Sequence, residues 1–210
     1  MHTQKIVDYY TDYVLEHNKR PSSVYSFCKD LEVEETQFYD HFASFDQLES
    51  DILSRMVANA IALATKEAED HLDLKDPKHQ LLTFYLTLAE VYKSNRSLVI
   101  FILPQLKMEI STLKVLEKSK KSFLVFLNSL DISPDFMSFI PDANIKTKTL
   151  ENVAWFQFVS VLNYWLKDTS DGFEKTDIFI EKSLKLSFEI SDSNVLNTMV
   201  DLGKFMMNKK

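Results

Sequence analysis

The chain has 210 residues, of which 45% are hydrophobic and 26% are charged, and it contains only two glycines and five prolines. A β-rich fold of this length would need many more glycines for its turns, so the composition excludes one and predicts long helices joined by few loops. The formal net charge is −7, and the hydrophobic fraction is ample for a sizeable core.

The single cysteine and the lack of long apolar runs limit the class of protein further. Cys28 stands alone, which excludes an intrachain disulfide and a zinc site with two cysteines. The start of the sequence has no apolar segment of the kind found in signal peptides, and its longest apolar run, residues 98–104, is far shorter than the roughly 18–20 residues that span a bilayer. We therefore expect a cytoplasmic protein without stable membrane insertion.

The first fifty residues predict a head of short helices. Apolar side chains over residues 6–14 recur at three- and four-residue spacing, which indicates an amphipathic helix that ends near His17. A short second helix follows over residues 24–31, and the hydroxyl of Ser22 or Ser23 can cap it by accepting from free backbone N–H groups.

A turn and two further helices follow. Residues 32–34 are expected to form the turn and residues 35–42 a third helix. Ser44 is expected to cap a fourth helix, whose apolar positions continue at helical spacing to about Leu74. A helix of this length is typical of a strut between a head and a larger C-terminal body.

The rest of the chain predicts a helical body. The nearly all-hydrophobic stretch over residues 97–103 ends at Pro104 and indicates a short helix buried on all sides. Pro134 and Pro141 predict a loop over residues 133–147. The remaining helices are expected over residues 81–92, 112–130, 150–167, 176–191 and 194–207. The prediction is an all-α fold of about nine or ten helices.

A pattern of small, apolar and aromatic residues marks the segment from Ser22 to Leu48. Its members are Ser23-Val24, Phe27, Cys28 and Val33, then Phe38-Tyr39-x-His41-Phe42-x-Ser44, and finally Leu48. With this spacing the segment resembles the helix-turn-helix of the TetR/AcrR family of transcriptional regulators. The body resembles that family in the number and order of its helices.

The resemblance implies two domains, a helix-turn-helix domain over residues 1–47 and a ligand-binding and dimerisation domain over residues 48–210. The third helix of the head would enter the major groove of operator DNA. Gln37 would reach base edges, because glutamine suits adenine, while Tyr39 and His41 would contact phosphates. The implied DNA-binding residues are Ser23, Lys29, Thr36, Gln37, Tyr39 and His41.

Four positions depart from the pattern of the family. Glu32 stands at the turn and Thr36 within the third helix, where glycine is common. A left-handed backbone at Glu32 would cost about 1 kcal/mol or more for a residue with a Cβ. Glu34 replaces the usual capping serine, and Phe45 replaces a lysine that meets the DNA backbone.

The head is strongly acidic for a DNA-binding domain. Residues 1–50 hold four basic side chains against ten acidic ones, a formal charge of −6, which leaves −1 for the other 160 residues. Affinity for DNA arises mainly from cations that displace counterions from phosphates. The cations available for this in the head are Lys5, Lys19, Arg20 and Lys29.

Aromatic and apolar residues of the body predict two sites. The first would line a pocket for a small apolar effector, and consists of Phe84, Tyr85, Tyr92, Phe101, Phe123 and Phe126. The second would pair with another subunit in a homodimer, and consists of Trp155, Phe158, Leu162, Trp165, Phe179 and Leu184. For both sets, ordinary packing within one chain is the alternative.

The sequence offers no catalytic constellation. Its five histidines lack the spacing of a metal site, and two isolated glycines cannot form a phosphate-binding loop. We therefore expect neither enzymatic activity nor a metal or cofactor.

Two functions follow from these patterns, with a third left open. The leading one is a TetR-like homodimer that binds operator DNA and responds to a small apolar effector. The alternative is a protein of the same fold that no longer binds DNA and instead binds a lipid or an isoprenoid quinone. The third is an adaptor whose acidic head binds a basic protein partner.

Overall fold

The computed structural model describes residues 3–70, 75–103, 114–130, 132 and 142–192, the last four of them as backbone only. All regular structure in these ranges is helical, so the predicted all-α class is confirmed. The helices are α1 (Thr3–His17), α2 (Val24–Asp30), α3 (Glu35–Tyr39), α4 (Phe45–Asp70), α5 (Pro77–Ser94), α6 (Arg96–Ile102), α7 (Glu117–Ser129), α8 (Ala143–Lys167) and α9 (Glu174–Asp192), with a 3-10 turn over Asp171–Phe173.

The chain divides into two compact units. The first contains Met1–Ala62 and Glu90–Phe123, and the second contains Leu63–Ala89 and Leu124–Lys210. The first unit thus combines α1 to α3 with parts of α4, α5 and α7 and with the whole of α6. The division that we predict at residue 47 from the family resemblance remains a prediction.

The helices of the head begin and end close to where the sequence predicts. The buried face of α1 carries Ile6, Val7, Tyr10 and Val14, and the helix ends at His17 as predicted. Ser23 is the N-cap of α2: its Oγ accepts from the N–H of Ser26 at 3.1 Å, and the Ser26 Oγ accepts from the N–H of Ser23 at 3.3 Å. Two backbone donors at the start of α2 are thereby satisfied.

The third and fourth helices refine the predicted limits. α3 ends at Tyr39 rather than Phe42, although the N–H of Phe42 still donates to the Phe38 carbonyl at 2.9 Å. The predicted cap at Ser44 is confirmed, since its Oγ accepts from the N–H of Gln47 at 3.3 Å. α4 then runs through Asp70, and residues 71–74 lie outside the described part of the chain.

Two predictions for the body were wrong. α6 is not buried on all sides, because the side chain of Ile100 is 38% exposed. The predicted loop over residues 133–147 ends early, because α8 begins at Ala143. Asp142 caps that helix through a carboxylate that accepts from the N–H of Asn144 at 2.8 Å. Residues 133–141 and the predicted last helix, residues 194–207, lie outside the described residues.

Candidate functional site

The turn between α2 and α3 closes the end of α2. The N–H of Val33 donates to the Cys28 carbonyl at 2.9 Å, and the N–H of Glu32 donates to the Lys29 carbonyl at 3.2 Å. These two bonds form a Schellman motif, which normally places glycine at the left-handed position. Glu32 occupies that position with φ of +58°, so the left-handed turn that the resemblance implies is confirmed.

An aromatic cluster holds α3 against the head. The ring of Phe38 lies edge-to-face with those of Phe27 and Phe45, at centroid distances of 5.8 and 5.6 Å. Tyr10 stacks on Phe45 at 5.4 Å. In the sequence, Phe45 stands out only because it replaces the lysine of the family pattern. The structure shows that its ring packs in the aromatic cluster of the head. With Phe38 buried on one side of α3, Tyr39 is left 52% exposed.

Most of the predicted DNA-contact residues are exposed, but several already form hydrogen bonds within the head. Gln37 is half-buried, and its Oε1 accepts from the N–H of Glu34 at 3.3 Å. The hydroxyl of Ser23 is used as the cap of α2. His41 Nδ1 lies 3.3 Å from the hydroxyl of Thr3. The exposed members of the set are Ser23, Lys29, Thr36, Tyr39 and His41.

Three members of the set meet in one groove, which is acidic. A cavity of about 550 Å³ between α2 and α3 is lined by Lys29, Thr36 and Gln37 together with Tyr25, Cys28, Glu32, Val33, Glu34 and Glu35. Three carboxylates thus share the groove with a single cation. This arrangement opposes the approach of a phosphate and favours a cationic group.

One of the four cations of the head is ion-paired with two carboxylates of the same chain. Arg20 Nε donates to Glu49 Oε1 at 2.8 Å, its Nη2 bonds Glu49 Oε2, and its Nη1 lies 2.7 Å from Asp46 Oδ1. The hydroxyl of Tyr10 donates to Glu49 Oε1 at 2.5 Å. These bonds satisfy a carboxylate that is 1% exposed.

Titration follows from the same contacts. Hydrogen bonding to Glu49 raises the pKa of Arg20 above its ordinary value, and burial together with the Glu49 bond raises the pKa of Tyr10. Arg20 therefore stays positively charged, and its charge is balanced by the carboxylates of Glu49 and Asp46. The sequence marks Arg20 as a candidate phosphate ligand, and nothing in its pattern signals a partner 29 residues away.

The six predicted pocket residues are distributed over both compact units. Phe84, Tyr85 and Phe126 belong to the second unit, where Phe84 lies 5.1 Å from Tyr85 and 5.2 Å from Phe126 between ring centroids. The other members, Tyr92, Phe101 and Phe123, belong to the first unit. Five of the six are buried and Phe101 is half-buried. Neither the groove between α2 and α3 nor a 240 Å³ cavity at Lys78 and Phe188 includes any of them.

Most of the predicted dimer residues are buried within one chain. Phe158, Leu162, Trp165 and Leu184 are each at most 5% exposed, so they pack in the core of the second unit rather than on its surface. Trp155 and Phe179 are half-buried. Among the described side chains of α8 and α9, the exposed large apolar ones are instead Ile145, Val153, Phe156, Tyr164, Ile178 and Leu186.

α8 and α9 pack directly on one another. The rings of Tyr164 and Phe179 stack with centroids 4.4 Å apart and planes 3° apart. Gln157 Nε2 donates to Ser183 Oγ at 2.6 Å. A short connection over residues 168–173 joins the two helices, so neighbours in the sequence also pack as neighbours in the second unit.

A buried aspartate organises the connection between α8 and α9. The Asp168 carboxylate accepts from the N–H and hydroxyl of Ser170 at 2.8 and 2.6 Å, and from those of Thr176 at 2.9 and 2.7 Å. Burial alone would raise the pKa of Asp168, but these four bonds outweigh it and lower the pKa to about 2.

The family model for the tetracyclin repressor-like C-terminal domain matches residues 80–206, more than half of the chain. The chain belongs to this family. The family suspected from residues 22–48 is thus supported by a separate part of the sequence, and the tetracycline repressor-like fold agrees with the all-α architecture. No curated protein and no solved structure matches the chain at a significant level.

This tetracycline repressor-like protein carries neither a spanning helix nor a metal cluster in its described part. None of its described helices is long and apolar enough to cross a membrane. Among the residues that the structure describes, no group of three or more histidine, cysteine, aspartate or glutamate side chains is arranged to hold a metal ion.

Proposed function

We propose that the protein is a homodimeric transcriptional regulator that binds operator DNA through its head. The observation that carries this proposal is the helix-turn-helix itself. α2 begins at a Ser23 cap, a left-handed residue at Glu32 closes the turn, and Phe38 anchors α3 so that Thr36 and Tyr39 are exposed. An exposed face on a short helix after such a turn is the surface that enters the major groove in helix-turn-helix proteins.

A gel-shift experiment tests this function. The full chain is mixed with the DNA upstream of its own gene, and with a mixed-sequence duplex of equal length, across a salt series from about 50 to 200 mM. We expect a shift with both duplexes at low salt, and at higher salt with the upstream DNA only. Absence of any shift at about 50 mM salt would overturn the proposal, since counterion release favours binding most strongly there.

The dimer that we propose uses exposed apolar residues of α8 and α9. Val153, Phe156 and Tyr164 are three and eight residues apart, and Ile178 and Leu186 are eight residues apart, spacings that keep each set on one helical face. The side chain of Phe156 is 66% exposed, which is costly for a large aromatic residue on a free surface. A second copy of the chain would cover it.

Analytical ultracentrifugation tests the dimer with a matched pair of variants. Phe156→Glu is expected to produce monomers, because it introduces a charge into an apolar interface. Val125→Glu is the control, since Val125 on α7 is 67% exposed but lies on neither helix of the proposed interface. A Phe156→Glu protein that sediments like the unaltered dimer would contradict this interface.

We further propose that the effector of this regulator is small and apolar and binds in the second compact unit, where Phe84, Tyr85 and Phe126 lie together. Burial raises the pKa of Tyr85, so its hydroxyl stays neutral at physiological pH. Neutral, mostly aromatic surroundings suit an apolar ligand better than a charged one.

A second candidate function is favoured by the acidic groove and by the commitment of Arg20 to Glu49 and Asp46. In this case the head does not bind DNA. Either the body binds a lipid or an isoprenoid quinone, or the groove binds a basic protein. Native mass spectrometry of protein purified from its host would detect a copurifying lipid. An empty protein that shifts its upstream DNA would rule this candidate out.

A further inference from the structure

We propose that the protein binds the phosphate backbone of duplex DNA with a cationic surface outside its helix-turn-helix. We call this surface the basic end, and it consists of Lys5, Arg55, Lys114, Lys118 and Lys121. The inference rests on the proposed DNA-binding function and adds to it a source of cations that the helix-turn-helix lacks. All five residues belong to the first compact unit.

The start of α7 is bound to α4. Lys118 Nζ donates to Asp51 Oδ1 at 2.8 Å, and the hydroxyls of Ser54 and Ser122 lie 3.4 Å apart. Lys118 and Lys121 are three residues apart on α7 and so lie on neighbouring positions of one helical face. These contacts bring the lysines of α7 to the second and third turns of α4.

Arg55 connects Asp51 on α4 to the first turn of α1. Its Nε donates to Asp51 Oδ2 at 2.7 Å, and its Nη1 donates to Gln4 Oε1 at 3.0 Å. Although burial alone would raise the pKa of Asp51, hydrogen bonds from Lys118 and Arg55 outweigh it and lower that pKa. Asp51 is therefore an ionised carboxylate that two cations neutralise, and Lys5 follows Gln4 directly in the chain.

The first residue of α1 connects this surface to the helix-turn-helix. The hydroxyl of Thr3 lies 3.3 Å from Nδ1 of His41, which is one of the predicted phosphate contacts after α3. Thr3 and Gln4 are consecutive, so the side chains that touch His41 and Arg55 come from one turn of α1. The basic end therefore lies next to His41 and the exposed face of α3, which would contact DNA in the proposed function.

The charge balance of the basic end differs from that of the groove. Two of its five cations, Arg55 and Lys118, share one carboxylate, Asp51. Lys5, Lys114 and Lys121 are exposed. Cations beside a helix-turn-helix gain from displacing counterions of the duplex, while the carboxylates of the groove do not.

The test measures the salt dependence of duplex binding by the full chain. Fluorescence anisotropy follows a labelled mixed-sequence duplex of about 30 base pairs, enough for two half-sites one helical turn apart. The test variant carries Lys114→Gln and Lys121→Gln, which remove charge but keep a good helix former. The control variant carries Lys66→Gln and Lys75→Gln, two exposed lysines of the second unit. Urea unfolding of each variant verifies that the fold is retained.

We expect the test variant to bind about tenfold more weakly at 50 mM salt. The plot of log affinity against log salt should also become shallower by roughly 0.9 for each phosphate that the variant no longer neutralises. The control variant should match the unaltered protein. If the test variant binds like the control, with the same slope, the inference is overturned while the helix-turn-helix function stands. If the unaltered protein binds no duplex at low salt, both are overturned.

Discussion

The two charged regions of the first compact unit have opposite ratios of cations to carboxylates. Near the end of α1, the single guanidinium of Arg20 bonds two carboxylates, Glu49 and Asp46. Near its beginning, Lys118 and Arg55 neutralise Asp51 while Lys114 and Lys121 remain exposed. A formal charge summed over residues 1–50 therefore misses both facts. It counts Arg20 as available, and it leaves out cations that come from α4 and α7.

This difference teaches that the charge of a segment and the charge of a surface are separate quantities. The acidic groove between α2 and α3 is built from neighbours in the sequence, residues 25–37. The basic end is built from three helices that are far apart in the sequence. Electrostatic attraction acts on the assembled surface, so an acidic head is compatible with DNA binding when cations from elsewhere adjoin it.

The largest expected effect comes from removing Arg20, the cation that pairs with the buried Glu49. Arg20→Ala should lower the free energy of unfolding by about 3 kcal/mol, because Glu49 would be left buried without its charge partner. Urea unfolding measures this decrease. Lys19→Ala is the matched control, since it removes the adjacent and exposed positive charge, and it should change stability by less than about 0.5 kcal/mol. If Arg20→Ala lowers the free energy of unfolding as little as Lys19→Ala does, Arg20 is an ordinary surface cation.

Asp168 tests how much hydrogen bonds to a buried carboxylate contribute to stability. Asp168→Asn should cost about 2 kcal/mol, because four hydrogen bonds to a charged acceptor are weakened. The pKa of Asp168 is about 2 in the folded protein, below its ordinary value of 3.8. Its contribution to stability is therefore present above about pH 4 and is lost as the pH falls toward 2.

Unfolding in urea at several pH values measures that dependence. The unaltered protein should lose more stability than Asp168→Asn between about pH 4 and pH 2, so that the two curves converge at acid pH. Curves that stay parallel over this interval would contradict the low pKa.

Neutralising the groove should strengthen DNA binding. Glu32→Gln combined with Glu35→Gln removes two carboxylates from the lining of the groove, and we expect the affinity for duplex at about 50 mM salt to rise by about fivefold. Anisotropy with the labelled duplex measures the change. The control variant, Glu67→Gln with Glu69→Gln, alters two exposed carboxylates of the second unit and should leave the affinity unchanged.

The smallest effect separates backbone strain from charge at the turn. Glu32→Gly should raise the free energy of unfolding by up to about 1 kcal/mol, because φ of +58° is unfavourable for a residue with a Cβ. Glu32→Gln removes the same charge but keeps the Cβ, so it should not show this gain. If both variants are stabilised equally, repulsion among the carboxylates of the groove is the cause instead.

Local sequence patterns predict the fold well because they act over a few residues. The Ser23 cap, the left-handed turn at Glu32 and the buried face of α1 each follow from neighbouring residues. The family resemblance at residues 22–48 agrees with the family match over residues 80–206. The start of α8 was missed because the two prolines outweighed the Asp142 cap, which satisfies the first N–H groups of that helix.

The candidate sites were harder to predict because they depend on partners distant in the sequence. The pairing of Arg20 with Glu49 and that of Lys118 with Asp51 join residues 29 and 67 positions apart. The many aromatic residues of α8 also do not show, from the sequence alone, which side chains are buried and which are exposed. Phe158 and Trp165 are buried, whereas Phe156, only two residues before Phe158, is exposed. Only the packing of α8 against other helices makes that distinction.

The salt dependence of duplex binding by the unaltered full chain tests the central claim most directly. If a dimer engages DNA through its helix-turn-helix heads and two basic ends, at least four lysine–phosphate contacts form. The slope of log affinity against log salt should then be steeper than about −3 between 50 and 200 mM. A protein that fails to bind duplex at 50 mM, or that binds with a slope near zero, would contradict the account.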